Sequence, residues 1–458
     1  MQHVSRRTFL ELASAALISG CSGGGNSFAP GSAPLLAFSD IHFNPFYAND
    51  PKVFQELDAT DASQWQGIFE SAGIAAPSLW GADTNYPLLK LALASVQQNL
   101  GASQVAIYTG DLLGHNIAGL YQQASGSSDP ARAAAFTDKT AAFVMQQIRA
   151  AVGTIPVLFA VGNCDSYTGY GPDSTFLAHN AQNFYTQMLN GAASQTDFMS
   201  TFKAVGNYAV DLFGGELMAI GLNTILCSPY VPGDNSAAVN AQFAWLDTKL
   251  AAAQAAGQKV WIVMHVPVGG FLGQTAANVD SNGHIASAAM MWNTDYQVSF
   301  LGTIASHPGA VVMAIAGHTH MDEYRIMMPG CALEIAPGIS PVFANDPAYK
   351  RFTLDLNTFV PGDYEAMKYS LGLATLPIQF EDYYTFTQAY GAPDYSAGSL
   401  QKLLAQLASD PAKEALFRQY YYSGNNSGNT ITNLTWPVYW SGVGNVSEQG
   451  IVAAVNSY

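Results

Sequence analysis

The chain has 458 residues with a formal net charge of −16 at pH 7, and 49% of its residues are hydrophobic while only 11% are charged. This composition is typical of a globular protein and argues against a disordered one. The sequence contains no basic stripe, which argues against nucleic acid as a structural partner. A small anionic substrate is still compatible with the negative charge, because bound dications dominate the local field of a site.

The N-terminus has the pattern of a targeting segment. Residues 5–10, Ser-Arg-Arg-Thr-Phe-Leu, resemble the twin-arginine export signal, and the apolar stretch 12–18 that follows is too short to span a membrane. Its end resembles the bacterial lipoprotein cleavage box, with Cys21 acylated after cleavage; an ordinary secretory signal with a chance cysteine is the alternative. We therefore expect 1–21 to be a signal peptide and 22–33 a flexible tether. The protein would be exported across the bacterial cytoplasmic membrane and held to the membrane by its N-terminal lipid anchor only.

The four cysteines of the chain are too few for a scaffold built on disulfides. If Cys21 carries a lipid, Cys164, Cys227 and Cys331 remain, and this odd number leaves at least one thiol unpaired. The sequence leaves open whether Cys227 and Cys331 form a bridge.

Five apolar runs predict buried strands, and each of them ends in side chains that can bind metals. The runs and the groups after them are 35–38 with Asp40 and His42, 105–108 with Asp111, 157–161 with Asn163, 260–264 with His265, and 311–315 with His318 and His320. Ligands collect outside the carboxyl ends of strands in an α/β sheet, so we expect these seven side chains to meet. Within each pair spaced by two residues, an extended chain would project both side chains from one face.

The remaining pattern predicts an α/β domain over 34–360 and a change of character after it. Amphipathic or Ala-rich segments predict helices at 86–100, 131–150, 241–256 and 296–305, and further strands are predicted at 208–212, 217–222, 323–328 and 349–356. Residues 43–85 have little periodicity except around 65–72 and are interpreted as a long loop or cap, whose aromatic residues either line a pocket or only pack. The stretch 361–458 is aromatic and helical in pattern, so we expect a C-terminal, mostly helical subdomain there.

The seven side chains offer two carboxylates, one carboxamide and four imidazoles, a set that suits zinc, iron or manganese. They are too many for one tetrahedral catalytic zinc, which takes three protein ligands and a water. They suit two divalent transition metals that share one carboxylate, about 3.5–4 Å apart, and clamp the attacking and leaving oxygens of a phosphoryl transfer. Zinc is the metal that we favour, with iron or manganese as alternatives.

The order of these blocks (D-x-H, G-D, G-N, a lone H and G-H-x-H) resembles the calcineurin-like metallophosphoesterases. Three further features resemble the acid sphingomyelinase-like phosphodiesterase branch: His115 four residues after the G-D aspartate, the segment 340–347, and the tyrosine-rich tail. The resemblance covers about residues 34–430. It implies a four-layer αββα sandwich in which a metal-bridging hydroxide attacks phosphorus.

The resemblance also implies which residues hold each metal. Asp40, His42, Asp111 and His320 would hold the first metal. Asp111 would bridge to the second metal, which Asn163, His265 and His318 would complete.

One position departs from the pattern of this family, because the block G-N-H reads Gly162-Asn163-Cys164 here. The usual histidine helps to protonate the leaving group, and losing a general acid alone costs about 10²–10⁴ in rate. Near two dications the pKa of Cys164 would fall from ~8.5, giving a thiolate that repels the substrate or binds metal. His115 matches the second histidine of the sphingomyelinase branch and would act as the remaining general acid. Asp165 is interpreted as a turn residue or a support for the ligands.

The predicted function is therefore that of a dinuclear phosphodiesterase acting on a small phosphate ester. Its substrate would be a sphingomyelin-like phospholipid head group or a nucleotide-type ester. Two alternatives stay open at this point: a phosphomonoesterase, and a non-catalytic, metal-binding surface lipoprotein that has lost turnover through Cys164.

Overall fold

The computed structural model describes residues 31–47, 50–171, 173–372, 378–425 and 431–458. The predicted signal peptide, with Cys21, and most of the predicted tether lie outside these residues and stay predictions. Within the described ranges, every helix is too short or too polar to cross a lipid bilayer.

Twelve strands in the described part of the chain form two mixed, six-stranded sheets. They are β1 (Ser32–Phe38), β2 (Ala106–Tyr108), β3 (Val157–Phe159), β4 (Tyr208–Leu212), β5 (Leu217–Gly221), β6 (Lys259–Val263), β7 (Val311–Ala316), β8 (Glu323–Met328), β9 (Cys331–Ile335), β10 (Ala348–Asp355), β11 (Pro361–Lys368) and β12 (Glu381–Thr385). The first sheet has the order β12-β11-β10-β1-β2-β3 and the second has the order β4-β5-β6-β7-β9-β8. Parallel pairing runs through β1-β2-β3 and through β5-β6-β7-β9, so several strands end at a common edge of each sheet.

The same ranges contain fifteen α-helices, most of them in the connections between strands. They are α1 (Pro51–Ala59), α2 (Trp65–Ser71), α3 (Tyr86–Asn99), α4 (Ile117–Ser125), α5 (Pro130–Val152), α6 (Ser174–Asn183), α7 (Gln195–Val205), α8 (Ser236–Ala256), α9 (Leu272–Ala276), α10 (Thr294–Ala305), α11 (Phe386–Tyr390), α12 (Ala397–Leu407), α13 (Pro411–Tyr421), α14 (Trp436–Gly444) and α15 (Glu448–Ser457). A π-helical turn, Phe184–Leu189, follows α6 directly, and short 3₁₀ turns lie at Ala62–Gln64, Phe213–Gly215 and Thr224–Cys227.

Local sequence signals explain where the long helices begin and end. The side chain of Asn85 caps α3 by accepting a hydrogen bond from the backbone N–H of Leu88 at 3.1 Å. The carboxylate of Asp129 caps α5 in the same way, and Pro130 occupies its first turn. Helix α8 ends where Gly257 adopts a left-handed conformation with φ of 68°, which a residue without Cβ adopts without strain.

Side chains from the two sheets meet in one buried core. The rings of Phe159 on β3 and Tyr208 on β4 stack at a centroid distance of 4.7 Å. Lys350 on β10 is fully buried and pairs with Glu334 on β9 and with Asp322, whose carboxylate lies 2.6 Å from its Nζ. Such a buried charge requires paired partners, and these partners join the first sheet to the second. The predicted α/β sandwich, with a helical C-terminal region, is confirmed.

The structure refines three expectations. The stretch 43–85, predicted as a loop or cap, contains α1 and α2. Strands β11 and β12 lie beyond the boundary drawn at 360 and pair into the first sheet, so the helical part of the C-terminal region begins at α11. Cys227 and Cys331 are both buried and free, which leaves the possible bridge unformed.

Candidate metal centre

All seven predicted ligands lie together at the carboxyl ends of β1, β2, β3, β6 and β7. The loops after neighbouring parallel strands are hydrogen-bonded to each other: the N–H of Asp40 donates to the carbonyl of Gly110 at 3.0 Å, and that of His42 to the carbonyl of Asp111 at 2.9 Å. The backbone N–H of His318, after β7, donates to the Asp40 carboxylate at 3.1 Å. This last bond joins the two sheets at the site.

The first group of ligands consists of Asp40, His42 and His320, with Asp111 beside them. The Nε2 atoms of His42 and His320 lie 3.0 Å apart, and the Nε2 of His320 lies 3.4 Å from Oδ1 of Asp40. The Nε2 of His42 also lies 3.2 Å from Oδ2 of Asp111. Four donor atoms thus surround one position.

The second group consists of Asp111, His265 and His318, with Asn163 beside them. The Nε2 of His265 lies 3.3 Å from Oδ2 of Asp111 and 3.0 Å from Oδ1 of Asn163. The Nδ1 of His318 lies 3.2 Å from the same nitrogen of His265. Because Oδ2 of Asp111 contacts both groups, this one carboxylate is placed to bridge two cations.

The hydrogen bonds of the imidazoles show that the donor set fits metal ions. The Nδ1 atoms of His42, His265 and His320 contact backbone carbonyls at 3.1, 2.8 and 3.2 Å, respectively. A carbonyl only accepts, so each Nδ1 carries the proton. In the neutral rings each Nε2 then presents its lone pair to the site, which is the arrangement typical of metal-ligating histidines. Two lone pairs 3.0 Å apart, as on His42 and His320, repel each other unless a cation or a proton lies between them.

The backbone at the site differs from the extended chain that the spacing of the ligands predicted. Five of the ligands have left-handed backbone conformations, with φ of 51° at Asp40, 45° at His42, 61° at Asp111, 74° at His318 and 63° at His320. Non-glycine residues at positive φ cost of order 1–3 kcal/mol each and concentrate at functional sites. The side chains therefore converge because the chain turns sharply after each strand, and the expectation of two side chains on one extended face was wrong.

The carboxylates of the site are ionised at neutral pH. Burial raises the pKa of Asp40, but the neighbouring His320 and His42 outweigh burial and lower it to about 2. Burial also raises the pKa of Asp111, and His265 and His42 outweigh it and hold the pKa well below its usual range. Both residues are therefore available as anionic ligands.

The pKa is lowered in two of the four imidazoles and raised in the other two. Burial lowers the pKa of His318 to about 3 and that of His320 to about 4, so both rings are neutral near pH 7. Burial also lowers the pKa of His265 and His42, but Asp111 outweighs it, raising the pKa of His265 to about 9 and that of His42 well above its usual value. A metal bound at Asp111 would therefore have to replace protons on these last two rings.

Asp165 supports the site through the backbone. Its carboxylate accepts hydrogen bonds from the backbone N–H groups of Gly162 at 2.8 Å, Leu112 at 2.9 Å, Asp111 at 3.2 Å and Leu113 at 3.3 Å. It thereby fixes the turns after β2 and β3 against each other. The close approach of these two turns requires glycine at position 162, because a Cβ there would lie 2.0 Å from Oδ1 of Asp111.

Cys164, the residue that replaces the usual histidine, is 3% exposed and lines the cavity above the site. Its backbone N–H donates to Oδ1 of Asp111 at 2.7 Å, and its Sγ lies 3.4 Å from Nδ2 of Asn163. Burial and the charge of Asp111 raise the pKa of this thiol to about 12, so the protein's own groups keep it protonated. Only the field of a bound cation could produce the thiolate that the sequence suggested.

Asp83 is a partner of the site that the sequence analysis missed. Its carboxylate accepts from the backbone N–H of His115 at 2.7 Å, and its other oxygen lies 2.7 Å from Nδ1 of the same ring. The His115 side chain is 42% exposed, lines the cavity and stacks on His42 at a centroid distance of 4.5 Å. Because Asp83 holds Nδ1, the Nε2 of His115 is left for the substrate side.

A cavity of about 1060 Å³ opens over the ligands. Its wall includes many aromatic side chains: Tyr170, Tyr230, Phe271, Phe343, Tyr421, Tyr422 and Tyr439. Phe343 is 48% exposed and makes an edge contact with His320 at 4.7 Å between ring centroids. Among the described residues that line the cavity, none is a lysine or an arginine.

Comparison with known proteins places the chain beside phosphodiesterases, although no protein-family profile matches it. Sphingomyelinase phosphodiesterase D of Dictyostelium discoideum is 26% identical over 347 residues, which are 70% of this chain and 71% of the relative. Acid sphingomyelinase-like phosphodiesterase 3b of Homo sapiens is 28% identical over 58% of this chain and 59% of its own length. A cyclic GMP-AMP phosphodiesterase of Rattus norvegicus is 27% identical over 49% of this chain and 51% of its own length.

These relatives are acid sphingomyelinase-like phosphodiesterases, and the resemblance carried by the ordered motifs is confirmed. The chain spans between about half and about seven tenths of the length of these relatives. Among solved structures, a dimetal phosphatase from Danio rerio aligns with a TM-score of 0.41 and 14% identity, covering 73% of this chain and 94% of that one.

Proposed function

We propose that the protein is a metal-dependent phosphodiesterase that hydrolyses a small phosphate ester with two divalent metal ions. The observation that carries the proposal is the position of Asp111, whose Oδ2 contacts His42 at 3.2 Å and His265 at 3.3 Å, one residue from each group of ligands. A single carboxylate oxygen between two sets of nitrogen donors is the geometry of a bridged metal pair.

Two dications held there would lower the pKa of water and would neutralise charge on the phosphoryl oxygens. Asp40, His42, His320 and Asp111 would hold the first ion. Asp111 would also hold the second ion, together with the ligands that complete its group, Asn163, His265 and His318. We favour zinc, because neutral imidazoles with few carboxylates suit it better than they suit magnesium or calcium.

His115 is placed to donate the proton that the leaving oxygen needs. Its ring lies at the cavity wall next to His42, and Asp83 orients it from the side away from the cavity. A carboxylate behind an imidazole fixes its tautomer and stabilises the charged ring. This pair would supply the acid function that Cys164 cannot supply.

The wall of the cavity favours a substrate with an apolar or cationic substituent. Aromatic faces attract quaternary ammonium groups, and the lining offers no lysine or arginine among its described residues to bind further phosphates. A choline-type head group therefore fits the wall better than a nucleotide with several phosphates. A nucleotide-type diester with a single phosphate is the second candidate, since aromatic rings such as Phe343 also stack on bases.

The activity is tested with purified protein on bis-p-nitrophenyl phosphate and p-nitrophenyl phosphate, with and without added Zn²⁺ or Mn²⁺. We expect metal-dependent turnover of the diester, and its loss in Asp111→Asn. Activity on the monoester alone would indicate a phosphatase. Failure of the metal-loaded protein on both esters would favour the alternative of a metal-binding surface lipoprotein without turnover.

The substrate class is tested by comparing sphingomyelin, p-nitrophenyl phosphocholine and a cyclic dinucleotide at equal concentration. We expect the choline esters to have the higher kcat/KM. A preference for the dinucleotide would refute the argument from the cavity wall and leave the phosphodiesterase proposal intact.

We also propose that the protein is exported by the twin-arginine route and anchored through Cys21. The support is the sequence of residues 5–21 alone. In a bacterial host, Cys21→Ser should move the protein from the membrane fraction to the soluble exported fraction. Equal membrane association of the two forms would refute the lipid anchor.

A further inference from the structure

A third group of metal-binding side chains lies beside the two groups already described. His42, His115 and Cys164 each offer a ligand atom, and these three atoms lie within 4.8 Å of one another. We propose that these three residues form an accessory site for a soft divalent cation, which competes with the first metal position for His42. The site arises from the cysteine at position 164, so the ordered metal motifs alone do not assign it.

The supporting hydrogen bonds of this group are those of a metal site. The Nδ1 of His42 lies 3.1 Å from the carbonyl of Leu113, and the Nδ1 of His115 lies 2.7 Å from the Asp83 carboxylate. A carboxylate or carbonyl behind the imidazole is the usual partner of a metal-ligating histidine, because it fixes the tautomer and raises the basicity of the other nitrogen. Both histidines therefore direct Nε2 away from their supports and are available as ligands.

The chemistry of the set indicates which cations it takes. Two imidazoles and one thiolate, with a fourth position open to the cavity, form the ligand set of a tetrahedral zinc site. A thiolate selects zinc and other soft cations over manganese, magnesium or calcium. Binding exchanges the S–H bond of Cys164 for a sulfur–metal bond and releases that proton to solvent, with no change of oxidation state.

One of the three ligands is free to adjust its position to a bound ion. Bonds of about 2.0–2.3 Å to a tetrahedral zinc place the ligand atoms about 3.3–3.8 Å apart, which is closer than the outer limit of 4.8 Å in the structure. Cys164 and His42 are buried, at 3% and 1% exposure, whereas the His115 side chain is 42% exposed. His115 is therefore the ligand with the most freedom to adjust, by turning its ring while its Nδ1 stays on Asp83.

His42 belongs both to the first metal position and to the accessory site, so a cation in the accessory site would disturb the metal pair. One Nε2 binds one cation, so a soft cation held by Cys164 removes a nitrogen ligand from the first position and occupies the proposed acid, His115. Excess zinc or cadmium should therefore inhibit the manganese-loaded protein, and excess manganese should not.

The test uses the full chain loaded with Mn²⁺ and titrated with Cd²⁺, with the sulfur-to-cadmium charge-transfer absorption as the readout. We expect the band in the wild type, its loss in Cys164→Ser, and its retention in Cys227→Ser, a matched control at another buried thiol. A wild type without the band, or a band that survives in Cys164→Ser, would overturn the site.

A second variant and a second readout cover the case in which Cys164→Ser fails to fold. His115→Gln should weaken Cd²⁺ binding by about tenfold or more, since it removes one of the three ligands. In the wild type, the ¹¹³Cd NMR signal should lie at the downfield shift of a sulfur-bound ion. Unchanged affinity in His115→Gln, or a ¹¹³Cd shift typical of nitrogen and oxygen ligands alone, would refute the proposal. These readouts need no turnover, so their failure is distinct from a failure of the phosphodiesterase proposal.

Discussion

The pair formed by Asp83 and His115 leads to a prediction about the leaving group. Asp83→Asn keeps the size of the side chain but replaces a carboxylate by a neutral amide. The change removes a charge-assisted hydrogen bond of 2.7 Å between Oδ1 of Asp83 and Nδ1 of His115. The Asp83 side chain is only 8% exposed. We therefore expect slower hydrolysis of esters whose leaving group must be protonated by His115.

The magnitude follows from the exposure of the two side chains. Hydrogen bonds to charged groups contribute about 1.5–3 kcal/mol. Because the His115 side chain is 42% exposed, solvent screening reduces this contribution to about 1–2 kcal/mol. That range corresponds to a loss of about 5–30-fold in rate.

The assay compares two diesters that differ in the leaving group. An alkoxide such as that of sphingomyelin needs protonation, so Asp83→Asn should lower its kcat by the full factor. A p-nitrophenolate leaves without protonation, so its kcat should change much less. His115→Gln and the double variant serve as controls, and the two single losses should not multiply. Equal losses on both esters would show that Asp83 only supports the fold and would refute the reasoning.

Three further predictions concern the support of the site and its metals. Asp165→Ala should lower the free energy of unfolding by about 3 kcal/mol or more, because it leaves several buried N–H groups without an acceptor; urea unfolding measures this. Metal binding at pH 7 should release about two protons, from His42 and His265, whose pKa values Asp111 raises; calorimetry in two buffers of different ionisation enthalpy measures the number. Removal of metal by a chelator should lower the melting temperature by several degrees, since ligand at 100 times Kd stabilises by about 2.7 kcal/mol. A melting temperature that does not change on chelation would contradict the metal site. A metal-binding enthalpy that is the same in both buffers would contradict the predicted proton release.

The strands that carry the ligands could be predicted because each is an uninterrupted apolar run with a metal-binding residue after it. Strand β7, which is Val311–Ala316 in the structure, was predicted in this way from the run 311–315, and β8 was predicted with the bounds that the structure gives, Glu323–Met328. Strand β9 was missed because Glu334 interrupts its apolar pattern. That residue can be buried because it pairs with Lys350 on the other sheet and accepts a hydrogen bond from Tyr395, and no local pattern predicts such distant partners.

Two other features were missed for different reasons. Helix α1 carried a local signal, since Asp50 and Pro51 form a helix start and Val53 and Leu57 are spaced by four residues on its buried face. Asp83, in contrast, is 32 residues from His115 and has no motif around it. Its role depends on a contact that forms only after the chain has folded.

The backbone explains how the site tolerates a change at position 164. The predicted metal ligand Asp111 accepts a hydrogen bond from the N–H of Cys164 at 2.7 Å, and its own N–H donates to Asp165 at 3.2 Å. Any residue other than proline at 164 supplies that first bond, because the donor is a main-chain N–H. A histidine can therefore be replaced by a cysteine without displacing the bridging carboxylate. The side chain at 164 is then free to set the acid chemistry of the site and the cations that it accepts, while the main chain keeps the geometry of the metal pair.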